Sequence, residues 1–180
     1  MNMKRQSYIF RIAMVTGAAC WLMFSGIGRA GVTAPEAMRK LAPFMGKWKT
    51  VSLYPQQGLK VPGQLEYRWV LGRNWVLVIF KGRHPERTYW EAIAMIRYDP
   101  EKKCYISHDY FNERDPLLMT GYWITPETLR FEMKGDHGSS GIDYTVKPDG
   151  SIYQENWIHP GGSRRKITLK TDYTRLNVKP

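Results

Sequence analysis

A succession of short apolar segments separated by turn residues fills the sequence after Gly46. Aromatic and β-branched residues make up the segments, and turn sequences such as Gly72-Arg73-Asn74 and Pro148-Asp149-Gly150 separate them. Segments of this kind at spacings of roughly 8–12 residues are typical of antiparallel all-β folds. The pattern predicts strands at 47–54, 64–71, 75–82, 88–98, 104–111, 116–124, 128–134, 141–147, 151–159 and 166–175.

The connections between these segments predict the topology. Nearly every connection is short, so each strand is expected to pair with the next one along the chain. Closing such a meander into a barrel removes its exposed edges. A short helix is predicted at 35–41, and no helix-length segments alternate with the strands. We therefore predict an all-β fold, a closed antiparallel up-and-down β-barrel of about ten strands with a short N-terminal helix.

The first thirty residues have the pattern of a targeting segment. Residues 1–30 contain four basic residues and no acidic one, an apolar run at 12–24, and small residues close to Ala30. This pattern is typical of a cleaved secretory signal peptide. We expect cleavage near Ala30, a single barrel domain at 31–180, and a periplasmic or secreted protein. Two alternatives are a retained membrane anchor, for which the run is short of roughly 20 residues, and lipid attachment at Cys20.

Cleavage changes both the charge and the cysteine count. Removing four basic residues reduces the formal net charge from +11 to +7, and Cys104 becomes the single cysteine. A single cysteine cannot close an internal disulfide, so the core must hold the domain together. A domain of about 150 residues buries roughly 68–70% of its unfolded surface, which is sufficient. The composition, with 43% hydrophobic and 13% aromatic residues, is that of an ordinary globular domain.

Alternation along the strands predicts which side chains face the barrel interior. In 88–98 the even-numbered set is the more apolar, and in 104–111 the even-numbered set is again the more apolar. Four strands have predicted inward residues, namely Trp48, Thr50, Ser52 and Tyr54; Trp90, Ala92, Ala94, Ile96 and Tyr98; Cys104, Ile106, His108 and Tyr110; and Ile167, Leu169, Thr171, Tyr173 and Arg175. An interior of aromatic, small and a few polar side chains leaves room for one small ligand.

Candidate site residues come from these inward sets. We predict ligand-binding walls at Trp69, Trp90, Tyr110, Met119 and Trp123, and His108 as a polar anchor that hydrogen-bonds a ligand or acts as a general base. The four histidines lack metal-ligand spacing, and the serines lack the context of a nucleophile elbow. No catalytic residue, metal or cofactor is therefore predicted.

The sequence leaves three functions open. The first is an exported barrel that binds a small apolar or amphipathic molecule without catalysis. The second is a barrel enzyme that acts on a small hydrophobic substrate with His108 as acid or base. The third is a filled barrel whose outer face binds an envelope protein. Basic residues at turns and strand ends are typical of a solvated surface, and they also fit an anionic envelope surface. An exported protein rarely meets nucleic acid, so none is predicted, and the oligomeric state is left open.

Four elements of the sequence carry a resemblance to a known family. They are Leu41-x-x-Phe44-x-Gly46-x-Trp48, Leu71-Gly72-Arg73-Asn74-Trp75, Tyr98-Asp99-Pro100 with Lys103 and Tyr105, and Tyr173-Thr174-Arg175. The first resembles the start of lipocalin-like barrels of the calycin type. Over residues 37–176 the chain resembles a bacterial family of secreted lipocalin-like proteins known as a domain of unknown function. The resemblance implies a closed antiparallel barrel and no established activity.

The resemblance also implies two details at the barrel ends. Calycins stack an arginine of the last strand on the tryptophan of the first strand, which here implies Arg175 on Trp48. Such a cation–π pair contributes about 0.5–2 kcal/mol and is structural. The related nitrobindins hold haem through a histidine near the end of the chain. The final predicted strand, 166–175, contains no histidine, so we expect no haem.

Overall fold

The computed structural model describes residues 33–84, 87–112, 115–161 and 163–176, and the side chains of all of these except 83, 84 and 87–90. Its strands are β1 Gly46–Tyr54, β2 Leu59–Val70, β3 Trp75–His84, β4 Arg87–Asp99, β5 Cys104–Phe111, β6 Leu117–Trp123, β7 Thr128–Gly135, β8 Gly138–Val146, β9 Ile152–Pro160 and β10 Lys166–Arg175. Each strand pairs antiparallel with its neighbour in sequence, and β1 pairs with β10. The predicted closed up-and-down barrel is confirmed.

The predicted signal peptide at 1–30 lies outside the described residues, so its cleavage stays a prediction. Within the described ranges, none of the helices combines the length and the apolar character that crossing a membrane requires.

A short helix and a 3-10 turn cover one end of the barrel. The helix α1 spans Ala34–Arg39, and the turn spans Ala42–Phe44. Proline in the first turn favours the start of α1, because its fixed φ suits a helix and its missing N–H is not needed there. Ala37, Met38, Leu41 and Phe44 are buried against the barrel. We call these four residues the plug.

Aromatic contacts hold the plug in place. The ring centroid of Phe44 lies 5.8 Å from that of Tyr67, 6.2 Å from that of Trp123 and 6.0 Å from that of Tyr144. The Tyr105 hydroxyl donates a 2.6 Å hydrogen bond to the Ala37 carbonyl. The buried aromatic surface and the hydrogen bond between Tyr105 and Ala37 therefore both stabilise the closed end.

Trp48 and Arg175 complete the closed end. The Trp48 indole is fully buried and donates its Nε1–H to the Phe44 carbonyl at 2.8 Å. The guanidinium carbon of Arg175 lies 4.3 Å from the centroid of the Trp48 ring, so the stacking implied by the resemblance is present. Arg175 also donates to the Met45 and Pro43 carbonyls at 2.7 and 3.1 Å.

The structure shows why the motif Leu41-x-x-Phe44-x-Gly46-x-Trp48 needs glycine at position 46. Its φ is +117°, in a region that side chains rarely adopt, and a Cβ there would lie 2.9 Å from Nη1 of Arg175. Both the backbone turn into β1 and the close approach of Arg175 therefore require glycine at this position.

Strand register decides which side chains face inward. On β4, Ala92, Ala94, Ile96 and Tyr98 pair with inward-facing neighbours, in agreement with the even-numbered set, while the Trp90 side chain lies outside the description. On β10, Leu169, Thr171 and Tyr173 face inward, and a bulge between Ile167 and Leu169 pairs Ile167 with Trp157. Because Trp157 faces outward, the inward orientation expected for Ile167 is wrong.

The orientation predicted for β5 is also wrong. Ala94 pairs with Asp109, and Ile96 pairs with Ser107, so the odd-numbered residues of β5 face the interior. His108 and Tyr110 face outward, as do Cys104 and Ile106, and Tyr110 is 48% exposed. The prediction failed because Ser107 and Asp109 are polar and point into the barrel, while Cys104 and Ile106 are apolar and face outward.

Candidate functional site

A cavity of about 310 Å³ occupies the barrel at the end remote from the plug. We call this cavity the cup. Its lining includes Ser52 near the end of β1, Phe80 near the end of β3 and Leu117 at the start of β6. A smaller void of about 40 Å³ lies deeper, between the cup and Phe44 of the plug. A void of that size holds a water molecule or two at most, so inside the barrel the volume for a ligand is in the cup. On the outer surface beside the plug, Lys40, Pro43 and Trp123 line a separate open groove.

The cup has an apolar side and a polar side. Strands β2, β3, β4 and β6 line it with apolar side chains, namely Leu65, Val78, Phe80, Ala92, Ala94, Leu117 and Met119. Strands β1, β8, β9 and β10 line it mainly with polar side chains, namely Ser52, Tyr144, Gln154, Asn156, Thr171 and Tyr173, and β5 contributes Asp109. The arrangement suits a molecule with an apolar part and a hydrogen-bonding part.

Three tyrosines form a linked cluster at the depth of the cup. Tyr67, Tyr144 and Tyr173 are joined by side-chain hydrogen bonds through Tyr67, and the Tyr173 hydroxyl also bonds to Oε1 of Gln154. Burial raises the pKa of each phenol well above its usual value, and each phenol also raises that of a neighbour. The three hydroxyls are therefore neutral at physiological pH and can donate and accept hydrogen bonds.

Asp109 gives the cup a negative charge. Its carboxylate lies on the inward face of β5, lines both the cup and the deeper void, and accepts a short hydrogen bond from the Ser107 hydroxyl. The same charge adds to the elevation of the pKa of Tyr67 and Tyr144 that burial dominates. A carboxylate accepts up to about four hydrogen bonds and donates none.

Among the predicted site residues whose side chains are described, only Met119 lines the cup. Met119 is buried and lines both the cup and the deeper void. Trp69 and Trp123 pack against the core near the plug, and Trp123 Nε1 donates to the Tyr105 hydroxyl at 3.2 Å. Neither tryptophan lines the cup. Tyr110 lies on the outer face of the barrel, so a ligand in the cup cannot reach it.

His108 cannot anchor a ligand inside the barrel. Its side chain is on the outer face, with its ring centroid 6.5 Å from that of Trp75. The position of His108 therefore does not support the enzyme hypothesis, which used His108 as an acid or base inside the barrel. Within the described ranges there is also no group of three or more His, Cys, Asp or Glu residues arranged to hold a metal ion.

A second cluster of charged side chains lies outside, on β7, β8 and β9. Asp143 accepts hydrogen bonds from Arg130 at 2.7 Å, from Arg165 at 2.8 Å and from Trp157 Nε1 at 3.0 Å. Both guanidinium groups also lie over the Trp157 ring, at 5.2 and 4.6 Å. Burial raises the pKa of Asp143, but the three donors outweigh it and hold that pKa below its usual value. The hydrogen-bond donors and acceptors of this cluster satisfy one another, so we assign the cluster a structural role.

Sequence reasoning missed the site residues Asp109, Tyr144 and Gln154. Tyr173 was predicted to face inward but not to be part of the site. Register carries the signal that identifies Asp109. Residues 98 and 105 are paired across the hairpin, as are 94 and 109, so an inward even-numbered residue on β4 requires an inward odd-numbered residue on β5. Because the even-numbered set of β4 was correctly identified, carrying its phase across the short turn would have placed Asp109 inside.

Comparison with known proteins supports the fold and leaves the site open. The chain is similar to the crystal structure of Rv2717c from M. tuberculosis, with a TM-score of 0.58 and 13% sequence identity, over 78% of this chain and 98% of that one. Likeness at this identity concerns the barrel fold, and a fold does not specify a function. No profile of a known protein family matches the chain, and no curated protein matches it.

Proposed function

We propose that the barrel binds a small amphipathic molecule in the cup, with its apolar part against the apolar side of the cup and a hydrogen-bond donor directed at Asp109. The observation that carries this proposal is a cavity of about 310 Å³ that is lined by apolar side chains on one side and that also holds a carboxylate and several neutral polar groups. Small-molecule sites are usually concave and mostly apolar, with a few polar groups that orient the ligand, and range over roughly 300–1,000 Å³.

The charge inside the cup determines which head group fits. A ligand carboxylate would face Asp109 in a low-dielectric interior, where like charges repel strongly. An ammonium or a hydroxyl group would instead donate to Asp109, and a charged donor makes the stronger bond. We therefore propose amines and alcohols, rather than fatty acids, as the ligand class.

A matched series of ligands tests this proposal. Octylamine, octanol and octanoate share one apolar chain and differ in the head group, and titration calorimetry at neutral pH measures their affinities. We expect octylamine to bind best and octanoate to bind weaker by about tenfold or more, because a charge-assisted hydrogen bond contributes about 1.5–3 kcal/mol. Tightest binding by octanoate, or binding of none of the three at any concentration, would contradict the proposal.

A matched pair of variants assigns the effect to the cup. Asp109→Asn should remove most of the preference for octylamine over octanol, because the amide lacks the charge. Asp172→Asn makes the same chemical change on an exposed outward carboxylate of β10 and should leave the preference unchanged. If both variants lose the preference equally, the discrimination comes from the net charge of the protein and not from Asp109.

Export and the lipocalin-like family remain part of this proposal. The apolar run at 12–24 and the small residues before Gly31 support secretion. N-terminal sequencing of the protein recovered from cells expressing the complete chain tests it, and we expect Gly31 as the first residue. A chain that retains Met1 and sediments with membranes would favour the anchor instead. Binding to an anionic envelope surface stays a prediction.

A further inference from the structure

Two walls of the cup carry polar side chains that face each other across the barrel. Asp109 lines the cup from β5, and Asn156 lines it from β9. In the closed order of strands, three strands separate β5 from β9 on one side and five separate them on the other, so the two walls are nearly opposite. Register places both side chains inside, because Asp109 pairs with Ala94 and Asn156 pairs with Ile142.

A directed chain of hydrogen bonds sets the orientation of the Asn156 amide. The Tyr173 hydroxyl donates to Oε1 of Gln154, and Nε2 of Gln154 donates to Oδ1 of Asn156. Asn156 therefore presents its Nδ2 amino group to the cup. Within the described ranges no residue accepts a hydrogen bond from this Nδ2, and Nδ2 is not a fully buried atom, so its N–H groups open into the cup.

The two walls ask opposite things of a ligand. An amide nitrogen donates hydrogen bonds and does not accept them, whereas a carboxylate accepts up to about four and donates none. The wall at Asn156 therefore requires an acceptor on the ligand, and the wall at Asp109 requires a donor. A ligand that satisfies both walls carries a donor and an acceptor at separate positions.

The width of the barrel sets the distance between these two ligand groups. Ten strands about 4.8 Å apart and tilted by about 40° enclose a barrel about 20 Å across between opposite backbones. The side chains of Asp109 and Asn156 each reach about 3–4 Å inward, and each hydrogen bond to the ligand spans about 3 Å. About 5–7 Å is then left between the donor atom and the acceptor atom of the ligand.

We propose that the cup selects a primary amine that carries a carbonyl group about 5–7 Å from its nitrogen, with the ammonium on Asp109 and the carbonyl oxygen on Nδ2 of Asn156. This inference rests on the proposed function, because it keeps the ammonium on Asp109 and the apolar remainder against the apolar side of the cup. It adds a second recognised group and assigns its recognition to Asn156. An amine separated from an amide carbonyl by about three methylene groups has the required spacing.

Three amines of equal chain length test the second contact. N-butyl-γ-aminobutyramide has the proposed spacing, nonylamine lacks the carbonyl, and N-butylputrescine replaces the amide with a charged secondary amine. Titration calorimetry at neutral pH measures their affinities for the protein. We expect the amide to bind about threefold or more tighter than nonylamine, because it gains a neutral hydrogen bond. It should bind about tenfold or more tighter than N-butylputrescine, which places a second cation against N–H donors.

A length series places the carbonyl without changing the protein. N-butylglycinamide holds its carbonyl too close to the amine to reach both walls, and N-butyl-ε-aminocaproamide holds it too far away. Both should bind more weakly than N-butyl-γ-aminobutyramide, by about threefold or more. Equal affinity of all three amides would contradict the proposed spacing.

Variants at Asn156 assign the second contact to this residue. Asn156→Leu removes the donor and should lower the preference for the amide over nonylamine by about tenfold, because the ligand carbonyl is left unpaired. Asn156→Asp replaces the donor with a carboxylate and should make N-butylputrescine the tightest ligand. Asn74→Asp is the matched control. Asn74 is exposed in the turn between β2 and β3 and does not line the cup, so this variant should leave the order of the three ligands unchanged.

The outcomes separate this inference from the proposed function. If nonylamine binds and depends on Asp109 while the amide gains nothing over it, this inference is wrong and the proposed function stands. Tightest binding of N-butylputrescine by the unaltered protein, or an unchanged preference for the amide in Asn156→Leu, would also overturn the inference. If none of the amines binds, both proposals fail.

Discussion

The two ends of the barrel interior use similar residues for different purposes. At the closed end, Phe44, Trp48 and Arg175 fill the space, and the indole and guanidinium donors bond to the backbone carbonyls of the plug segment. At the open end, Phe80 and Phe111 surround a cavity, and Asp109 lies behind them. The comparison teaches that aromatic content alone does not distinguish a packed barrel end from a binding site. In the described part of the chain, the difference is the plug, which fills the closed end.

The largest expected effect separates the two ends by stability. Phe44→Ala removes a ring that is 3% exposed and contacts three other aromatic rings, so it should destabilise the fold by about 3–5 kcal/mol. The matched change at the open end, Phe111→Ala, removes a half-buried ring beside a cavity and should cost about half as much or less. Urea unfolding followed by circular dichroism measures both. Equal losses would mean that the cup is as tightly packed as the plug.

The buried tyrosines predict a loss of stability at alkaline pH. Burial raises the pKa of Tyr67, Tyr144 and Tyr173 in the folded state, so the folded protein holds these protons more tightly than the unfolded chain. Their contribution is complete below the unfolded value of about 10 and is lost as the pH rises through and above it. We expect stability to fall above about pH 10, with tyrosinate absorbance appearing together with loss of the β-sheet signal. Titration of all tyrosines in a still-folded protein would disprove it.

A smaller effect belongs to the pair at the closed end. Arg175→Ala removes a cation over Trp48 and two hydrogen bonds to the Met45 and Pro43 carbonyls, and should lower stability by about 1–3 kcal/mol. For a domain of this size the melting temperature should fall by about 3–10 °C. Ligand binding in the cup should be unchanged, because Arg175 does not line it. Arg175→Lys keeps the charge but not the planar fork, so it should recover only part of the loss.

Strands, topology and barrel closure could be predicted because they depend on local patterns. Hydrophobic runs, turn residues and short connections suffice for ten antiparallel strands in sequence order. The polar residues that line the cup could not be predicted from the alternation of apolar residues, because that rule assumes that the polar side of a strand faces water. On β5 the assumption fails on both sides, with Ser107 and Asp109 inside and Ile106 and Tyr110 outside. The usual arrangement, with apolar side chains inside and polar side chains outside, is therefore reversed on β5.

The smallest expected effect concerns an unsatisfied polar atom between the two ends. Thr50 is 1% exposed, and its Oγ1 is the one buried side-chain polar atom without a hydrogen-bond partner among the described residues. Leaving a buried hydroxyl unpaired costs about 1–3 kcal/mol, so Thr50→Val, which keeps the shape and removes the hydroxyl, should raise stability slightly, by about 1 kcal/mol or less. Ser52→Ala on the same strand is the control, because the Ser52 hydroxyl bonds to that of Thr171 at 2.9 Å. It should lower stability. Destabilisation by Thr50→Val, measured by urea unfolding, would instead show that the Thr50 hydroxyl has a hydrogen-bond partner in solution. The polar lining of the cup would then extend from Ser52 toward the plug.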